Sequence, residues 1–81
     1  MIWITLTNAS NGMPISVDAK TIIAIIKLDD GKGSFVFCWH DVGFSVREGR
    51  EEIAKMVTDA TRTYLYLNEK SINGAQLINL N

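Results

Sequence analysis

Ser34-Phe35-Val36-Phe37-Cys38-Trp39-His40 is the stretch that decides the fold. Its residues alternate, with Phe35, Phe37 and Trp39 on one side of an extended chain and smaller residues on the other. Aromatic and β-branched residues in this pattern are typical of a β-strand that is solvated on one face at most. We therefore expect a strand over residues 34–40, with Cys38 as a small buried hydrophobic residue.

The chain before this strand predicts three more strands. Residues 2–7 alternate cleanly, and Asn11-Gly12 is a strong hairpin-turn dipeptide. Pro14 admits only a short second strand, over residues 15–17. Residues 21–28 carry four isoleucines, which favour a strand with two apolar faces. One face should meet the core, and the other needs a helix or a second subunit to cover it.

After a fifth short strand at residues 44–46, the apolar period changes from two to about 3.6. Spacings of three and four recur along one predicted helical stripe, formed by Ile53, Met56, Val57, Ala60 and Tyr64. Gly49 is the predicted N-cap, and the helix should end near Tyr64 or Leu67. Residues 64–67 could extend the helix or begin a strand. We favour a second short element within residues 65–81, docked on a neighbouring subunit.

The expected fold class is therefore α+β, in a single domain over residues 1–81. It consists of an antiparallel sheet of about five strands, one main C-terminal helix that covers the sheet, and a short C-terminal element.

Composition points to self-association. The chain has 81 residues, of which 47% are hydrophobic, and a chain of this length buries only a limited core. We interpret the hydrophobic residues beyond what such a core can bury as apolar surface for another copy. We therefore expect a homo-oligomer, with a hexamer as one candidate. The alternative is a monomer with scattered exposed apolar side chains.

Charge and hydropathy limit the classes of partner that the chain can bind. The net charge is −1, with eight basic and nine acidic residues, whereas general nucleic-acid binders carry a basic excess. A single nucleotide-sized anion needs only two or three cations, so it remains possible. No apolar run approaches a membrane span, and Met1 leads directly into strand-like sequence, so we expect no membrane partner and a cytoplasmic location.

The residues offer little for catalysis or metal binding. The one histidine, His40, precedes Asp41 in sequence and does not face it, and no serine stands in a nucleophile-elbow pattern. Asp29-Asp30-Gly31 lacks the spacing of a calcium loop, and Gly31-Lys32-Gly33 is too short for a phosphate loop. We expect a non-enzymatic protein without cofactor or metal.

The best chemical candidates are arginines and aromatic rings. Arg47 and Arg50 flank the predicted helix start, where backbone N–H groups also attract anions, and Arg62 lies three turns further along. Trp39 and Phe44 are close in sequence and suit the stacking of a base. The alternative is that these arginines pair with Glu48, Glu51 and Glu52 on a solvated face.

Several stretches resemble the FlbD/SwrD family of small bacterial proteins linked to the flagellar motor. They are residues 1–6, the Asn11-Gly12 turn, and residues 15–17, 21–26 and 46–57. The family pattern is a short strand, a Leu-Asn-Gly turn, an isoleucine-rich segment, a hairpin and Val-x-Glu-Ser before a helix. Gly49 stands here where the family has that serine. This resemblance implies a protein-interaction module.

In size, layout and its aromatic and arginine set, the chain also resembles the phage anti-Thoeris sponge family (Thoeris anti-defence protein one). That resemblance implies an oligomer that sequesters cyclic ADP-ribose-type immune signals, or cyclic oligonucleotides, at subunit interfaces in the host cytoplasm. The sequence-based hypothesis is such a sponge, with a flagellar interaction module as the alternative.

Overall fold

The fold is α+β, with five antiparallel strands and one long helix. The computed structural model describes the backbone of residues 1–79 and the side chains of residues 1–69. The strands are β1 (Trp3–Thr7), β2 (Pro14–Asp18), β3 (Ile22–Lys27), β4 (Ser34–Cys38) and β5 (Val42–Val46), and the helix is α1 (Arg50–Asn79). The predicted class, strand number and helix are confirmed.

The first hairpin forms as its sequence predicts. β1 pairs antiparallel with β2, with Leu6 opposite Ile15. The Asn8 N–H donates to the Met13 carbonyl at 2.8 Å, and Gly12 closes the turn with a φ of 74°. That left-handed conformation costs glycine almost nothing, and it lies within a loop over residues 8–13 rather than in a two-residue turn at Asn11-Gly12.

The expectation of one five-stranded sheet is wrong. β1 and β2 form one sheet, and β3, β4 and β5 form a second, in that order. A 3-10 turn at Ala19–Thr21 redirects the chain after β2, so β3 does not continue the first sheet. The two sheets are joined by a bridge between Asn8 and Val46, which is flanked by hydrogen bonds from the Ala9 N–H to the Ser45 carbonyl and from the Arg47 N–H to the Thr7 carbonyl, both at 2.9 Å.

Several element ends also differ from the prediction. The helix does not end near Tyr64 or Leu67, and β5 begins at Val42 rather than at residue 44. The strand expected over residues 34–40 stops at Cys38, because Trp39–Asp41 forms a 3-10 turn in which His40 and Asp41 have φ of 63° and 59°. The expected short C-terminal element is not a separate element within residues 1–79, because α1 continues to Asn79. Residues 80 and 81 of that expected segment lie outside the described residues.

The core lies between the two sheets and the first half of α1. Its completely buried apolar side chains are Leu6, Val36, Val46 and Ile53. Cys38 is also buried, as predicted, on the same strand face as Ser34 and Val36. Met56, Val57, Ala60 and Tyr64 pack against this core and are partly buried, which confirms the predicted helical stripe.

Candidate functional site

An aromatic cavity opens where the two hairpins meet. It has a volume of about 300 Å³, and three rings line it, those of Trp3, Trp39 and Phe44. The turn after β4 places Trp39 at its rim, where the side chain is 53% exposed, and Phe44 lies in the middle of β5. The structure therefore brings the two predicted aromatic residues together and adds Trp3. The alternation of β1, which points Trp3 away from its buried neighbours Ile2 and Ile4, was the signal for this third ring.

The polar lining of the aromatic cavity is acidic. Asp18 lines it, together with Thr21 and His40. Asp18 Oδ1 accepts hydrogen bonds from the Ile2 and Lys20 N–H groups, both at 3.2 Å. Burial acts to raise the pKa of Asp18, but these two hydrogen bonds and the charge of Lys20 outweigh it, so the pKa lies below its ordinary value. Among the described residues, no lysine or arginine lines this cavity, so it suits a flat ring better than a phosphate group.

The predicted arginines lie elsewhere. Arg47 follows β5, where its N–H donates to the Thr7 carbonyl at 2.9 Å, and its guanidinium lies against Gly12. It lines a second cavity of about 360 Å³ together with Lys32, Asp30 and Val46. This second cavity therefore holds two cationic side chains of the kind that bind phosphate oxygens.

Arg50 belongs to the same end of the molecule. It is the first residue of α1, directly after Gly49, and a Cβ at Gly49 would lie 3.7 Å from the Lys32 carbonyl oxygen. The β3–β4 loop therefore lies beside the helix start. We call Lys32, Arg47 and Arg50 the basic end. Apart from the one ion pair between Lys55 and Asp59, the described residues contain no salt bridge, so the expected pairing of these arginines with Glu48, Glu51 and Glu52 is not formed there.

Lys32 is a residue that sequence reasoning missed. Its loop was too short for a phosphate-binding motif, so it carried no weight on its own. The available signal was strand pairing, since an antiparallel β4–β5 hairpin that pairs Ser34 with Val46 must set residues 29–33 beside Arg47. Asp30 contributes a negative charge to the same cavity, and its Oδ1 accepts hydrogen bonds from the Lys32 and Gly33 N–H groups at 2.8 and 3.3 Å. These hydrogen bonds lower the pKa of Asp30, although partial burial opposes them.

One protomer does not join the rings to all of the arginines. Phe44 lines the aromatic cavity and Val46 lines the cavity of the basic end, so along β5 the two cavities are two strand positions, or about 7 Å, apart. Arg62 lies twelve residues along α1 from Arg50, or about 18 Å along the helix axis. The structure thus brings Trp39 and Phe44 together in one cavity and Arg47 and Lys32 together in another. Arg50 lies at the adjoining helix start, and Arg62 lies apart from both cavities.

The described residues hold neither a group of metal ligands nor a membrane-spanning helix. No group of three or more His, Cys, Asp and Glu side chains within that part of the chain is placed to hold a metal ion. Its one helix is not apolar enough over a sufficient length to cross a membrane.

Comparisons with protein-family models, with curated proteins and with solved structures find no match to this chain.

Proposed function

We propose that this protein is a non-enzymatic homo-oligomer that binds and sequesters a cyclic nucleotide-type signal in the cytoplasm of a bacterial cell, as a phage anti-defence sponge. The observation that carries the proposal is the pair of separate sites, a three-ring cavity without cations and a basic end without rings. A nucleotide has both a flat base and phosphates, and it needs both kinds of site.

The ligand is expected to use two copies of the chain. Its base stacks in the aromatic cavity, between Trp39 and Phe44, and its phosphates bind Arg47 and Arg50. We place the base and the phosphates on different copies because no lysine or arginine is among the described residues that line the aromatic cavity, whereas the basic end lies beyond the end of β5. This arrangement explains why self-association and ligand binding belong together in one small chain.

Calorimetric titration with cyclic ADP-ribose isomers and with cyclic di- and trinucleotides tests the proposal. Ligand that is recovered unchanged after heat denaturation supports sequestration, and chemically altered ligand would make the protein an enzyme.

Two substitutions locate the phosphate site. Arg47→Ala and Arg50→Ala should each weaken binding by about 1.5–3 kcal/mol, the range for charge-assisted hydrogen bonds. Lys55→Ala is the matched control, because Lys55 is an exposed cation on the same helix that pairs only with Asp59. Unchanged affinity in both arginine variants would remove the basic end from the ligand site.

A second candidate is an interaction module of the FlbD/SwrD type that binds a protein partner. The exposed side chains of Leu65 and Leu67 on α1 favour it, because apolar side chains beyond a protein's own core are common in protein interfaces. The absence of heat with every cyclic nucleotide would favour this candidate over the sponge.

A further inference from the structure

The middle of α1 is apolar on more sides than its own sheets can cover. Residues 64–67, Tyr-Leu-Tyr-Leu, follow one another at about 100° around the helix axis and so reach every face of the helix. Tyr64 packs against the core, whereas Leu65 and Tyr66 are each 57% exposed. Exposed apolar side chains grouped on one helix mark interaction sites, so this segment is suited to a further contact.

The exposed apolar side chains of this segment lie next to one another along α1. Leu65 is 57% exposed and Leu67 is 61% exposed. Adjacent exposed apolar side chains mark interaction sites, and a second copy of the chain can cover them.

The charges around Leu65 are arranged for an antiparallel partner. Arg62 lies one turn before Leu65, and Glu69 lies one turn after it, and all three are exposed on the side of α1 opposite Ile53 and Ala60. Arg62 and Glu69 are seven residues apart, or about 10 Å along the axis, which is too far for an ion pair within one helix. Ile72 continues the same spacing in the sequence.

Symmetry decides between the two possible helix orientations. A parallel pair would set Arg62 against Arg62 and Glu69 against Glu69, which is repulsive. An antiparallel pair about a twofold axis at Leu65 sets Arg62 of each copy beside Glu69 of the partner subunit, so the two ion pairs form reciprocally.

We propose that two copies of this chain pair through α1, antiparallel and centred on Leu65, with reciprocal ion pairs between Arg62 and Glu69 of the partner subunit. The pairing rests on the self-association in the proposed function and specifies where it occurs. It also gives Arg62 a role that does not require it to reach the ligand.

Charge reversal provides the test, by sedimentation velocity at micromolar concentration. Arg62→Glu alone and Glu69→Arg alone each create two like-charge contacts, so we expect each to weaken dimerisation at least tenfold. An equimolar mixture of the two variants should restore the dimer, because every contact in the mixed pair is again between opposite charges. Lys27→Glu, an equal charge change at an exposed strand position, should leave the mass unchanged. Circular dichroism checks that each variant is folded.

The outcomes separate this inference from the proposed function. Single reversals that keep the dimer would overturn the pairing through α1, while calorimetry decides ligand binding independently. Variants that dissociate alone but do not recover in the mixture would overturn the antiparallel arrangement. A monomeric protein that floats with phosphatidylcholine vesicles would assign Leu65 and Tyr66 to a lipid surface, and would also overturn the pairing.

Discussion

Trp39 shows how one turn at the residue scale creates the aromatic cavity. Its alternation with Phe35 and Phe37 predicted one continuous strand, but His40 and Asp41 adopt left-handed φ values and end β4 at Cys38. Histidine and aspartate tolerate this region better than most residues, although neither signals it as glycine does. The burial of Val36 and Cys38 could thus be predicted from the sequence, whereas the position of the Trp39 side chain could not.

Ser34 supplies the first residue-scale prediction. It is completely buried, and its Oγ has no hydrogen-bond partner among the described residues. An unsatisfied buried hydroxyl costs about 1–3 kcal/mol, so Ser34→Ala should stabilise the protein by about 1 kcal/mol in urea unfolding. Ser16→Ala, at an exposed position, should change the stability by less than about 0.5 kcal/mol. A clear loss of stability in Ser34→Ala would show that the hydroxyl has a partner.

Glu48 supplies the second residue-scale prediction, which concerns the pH dependence of stability. Its carboxylate accepts hydrogen bonds from the Thr7 N–H at 2.8 Å and from the Thr7 hydroxyl at 2.7 Å. Partial burial acts to raise the pKa of Glu48, but these hydrogen bonds and the charge of Arg47 outweigh it, so the pKa lies below its ordinary value. Because the folded pKa is the lower one, the stabilisation is complete above the unfolded pKa and is lost as the pH falls through the folded pKa.

We therefore expect Glu48→Gln to lower the free energy of unfolding by about 1 kcal/mol at pH 7, since a charge-assisted hydrogen bond becomes a neutral one. The difference in the free energy of unfolding between Glu48→Gln and the unmodified protein should be smaller at pH 3. Urea unfolding at the two pH values measures it, with Glu52→Gln, an exposed carboxylate, as the control. A difference that is equal at both pH values would contradict this role of Glu48.

At the scale of elements, the apolar period and the turn residues predicted which helices and strands form, but not where each one ends. The stripe from Ile53 to Tyr64 identified α1, yet Asn73-Gly74 read as a turn, and the helix continues past it. A glycine inside a helix costs only about 1 kcal/mol, which the surrounding turns can absorb. The division into two sheets could not be predicted from the sequence either, because it depends on the turn at Ala19–Thr21 and on a register shift between Ile22 and Ala24.

The β3–β4 loop yields a prediction at this scale. A side chain at Gly33 would overlap the Val46 carbonyl oxygen, which is backbone and cannot easily move. Gly33→Ala should therefore separate the loop from β5 and cost about 1–3 kcal/mol, as overpacking typically does. Gly49→Ser is the control, because a Cβ there meets the Lys32 carbonyl at an ordinary 3.7 Å. Equal stability of the two variants in thermal unfolding would show that the loop is not held against β5.

The whole molecule carries a second exposed apolar surface besides the helix. Ile26 lies opposite Phe35 on the outer face of the three-stranded sheet, and the Phe35 and Phe37 rings are 5.6 Å apart. Ile26 and Phe37 are exposed at 53% and 38%. The apolar excess in the composition predicted such a surface, but only the strand register could show which face carries it.

Two different surfaces allow assemblies larger than a dimer, because one joins the copies in pairs and the other joins the pairs. We expect Phe37→Glu to reduce a larger assembly to the dimer held by α1, as measured by sedimentation velocity. Thr5→Glu, an exposed substitution on the other sheet, should not change the mass. An assembly that keeps its full mass in Phe37→Glu would exclude the sheet face as an interface.

The most direct measurement is the molar mass of the unmodified protein in solution. Multi-angle light scattering at micromolar concentration should give at least twice the chain mass of 9.0 kDa. A single species at the mass of one chain would contradict the account, because the rings and the basic end would then never meet across two copies.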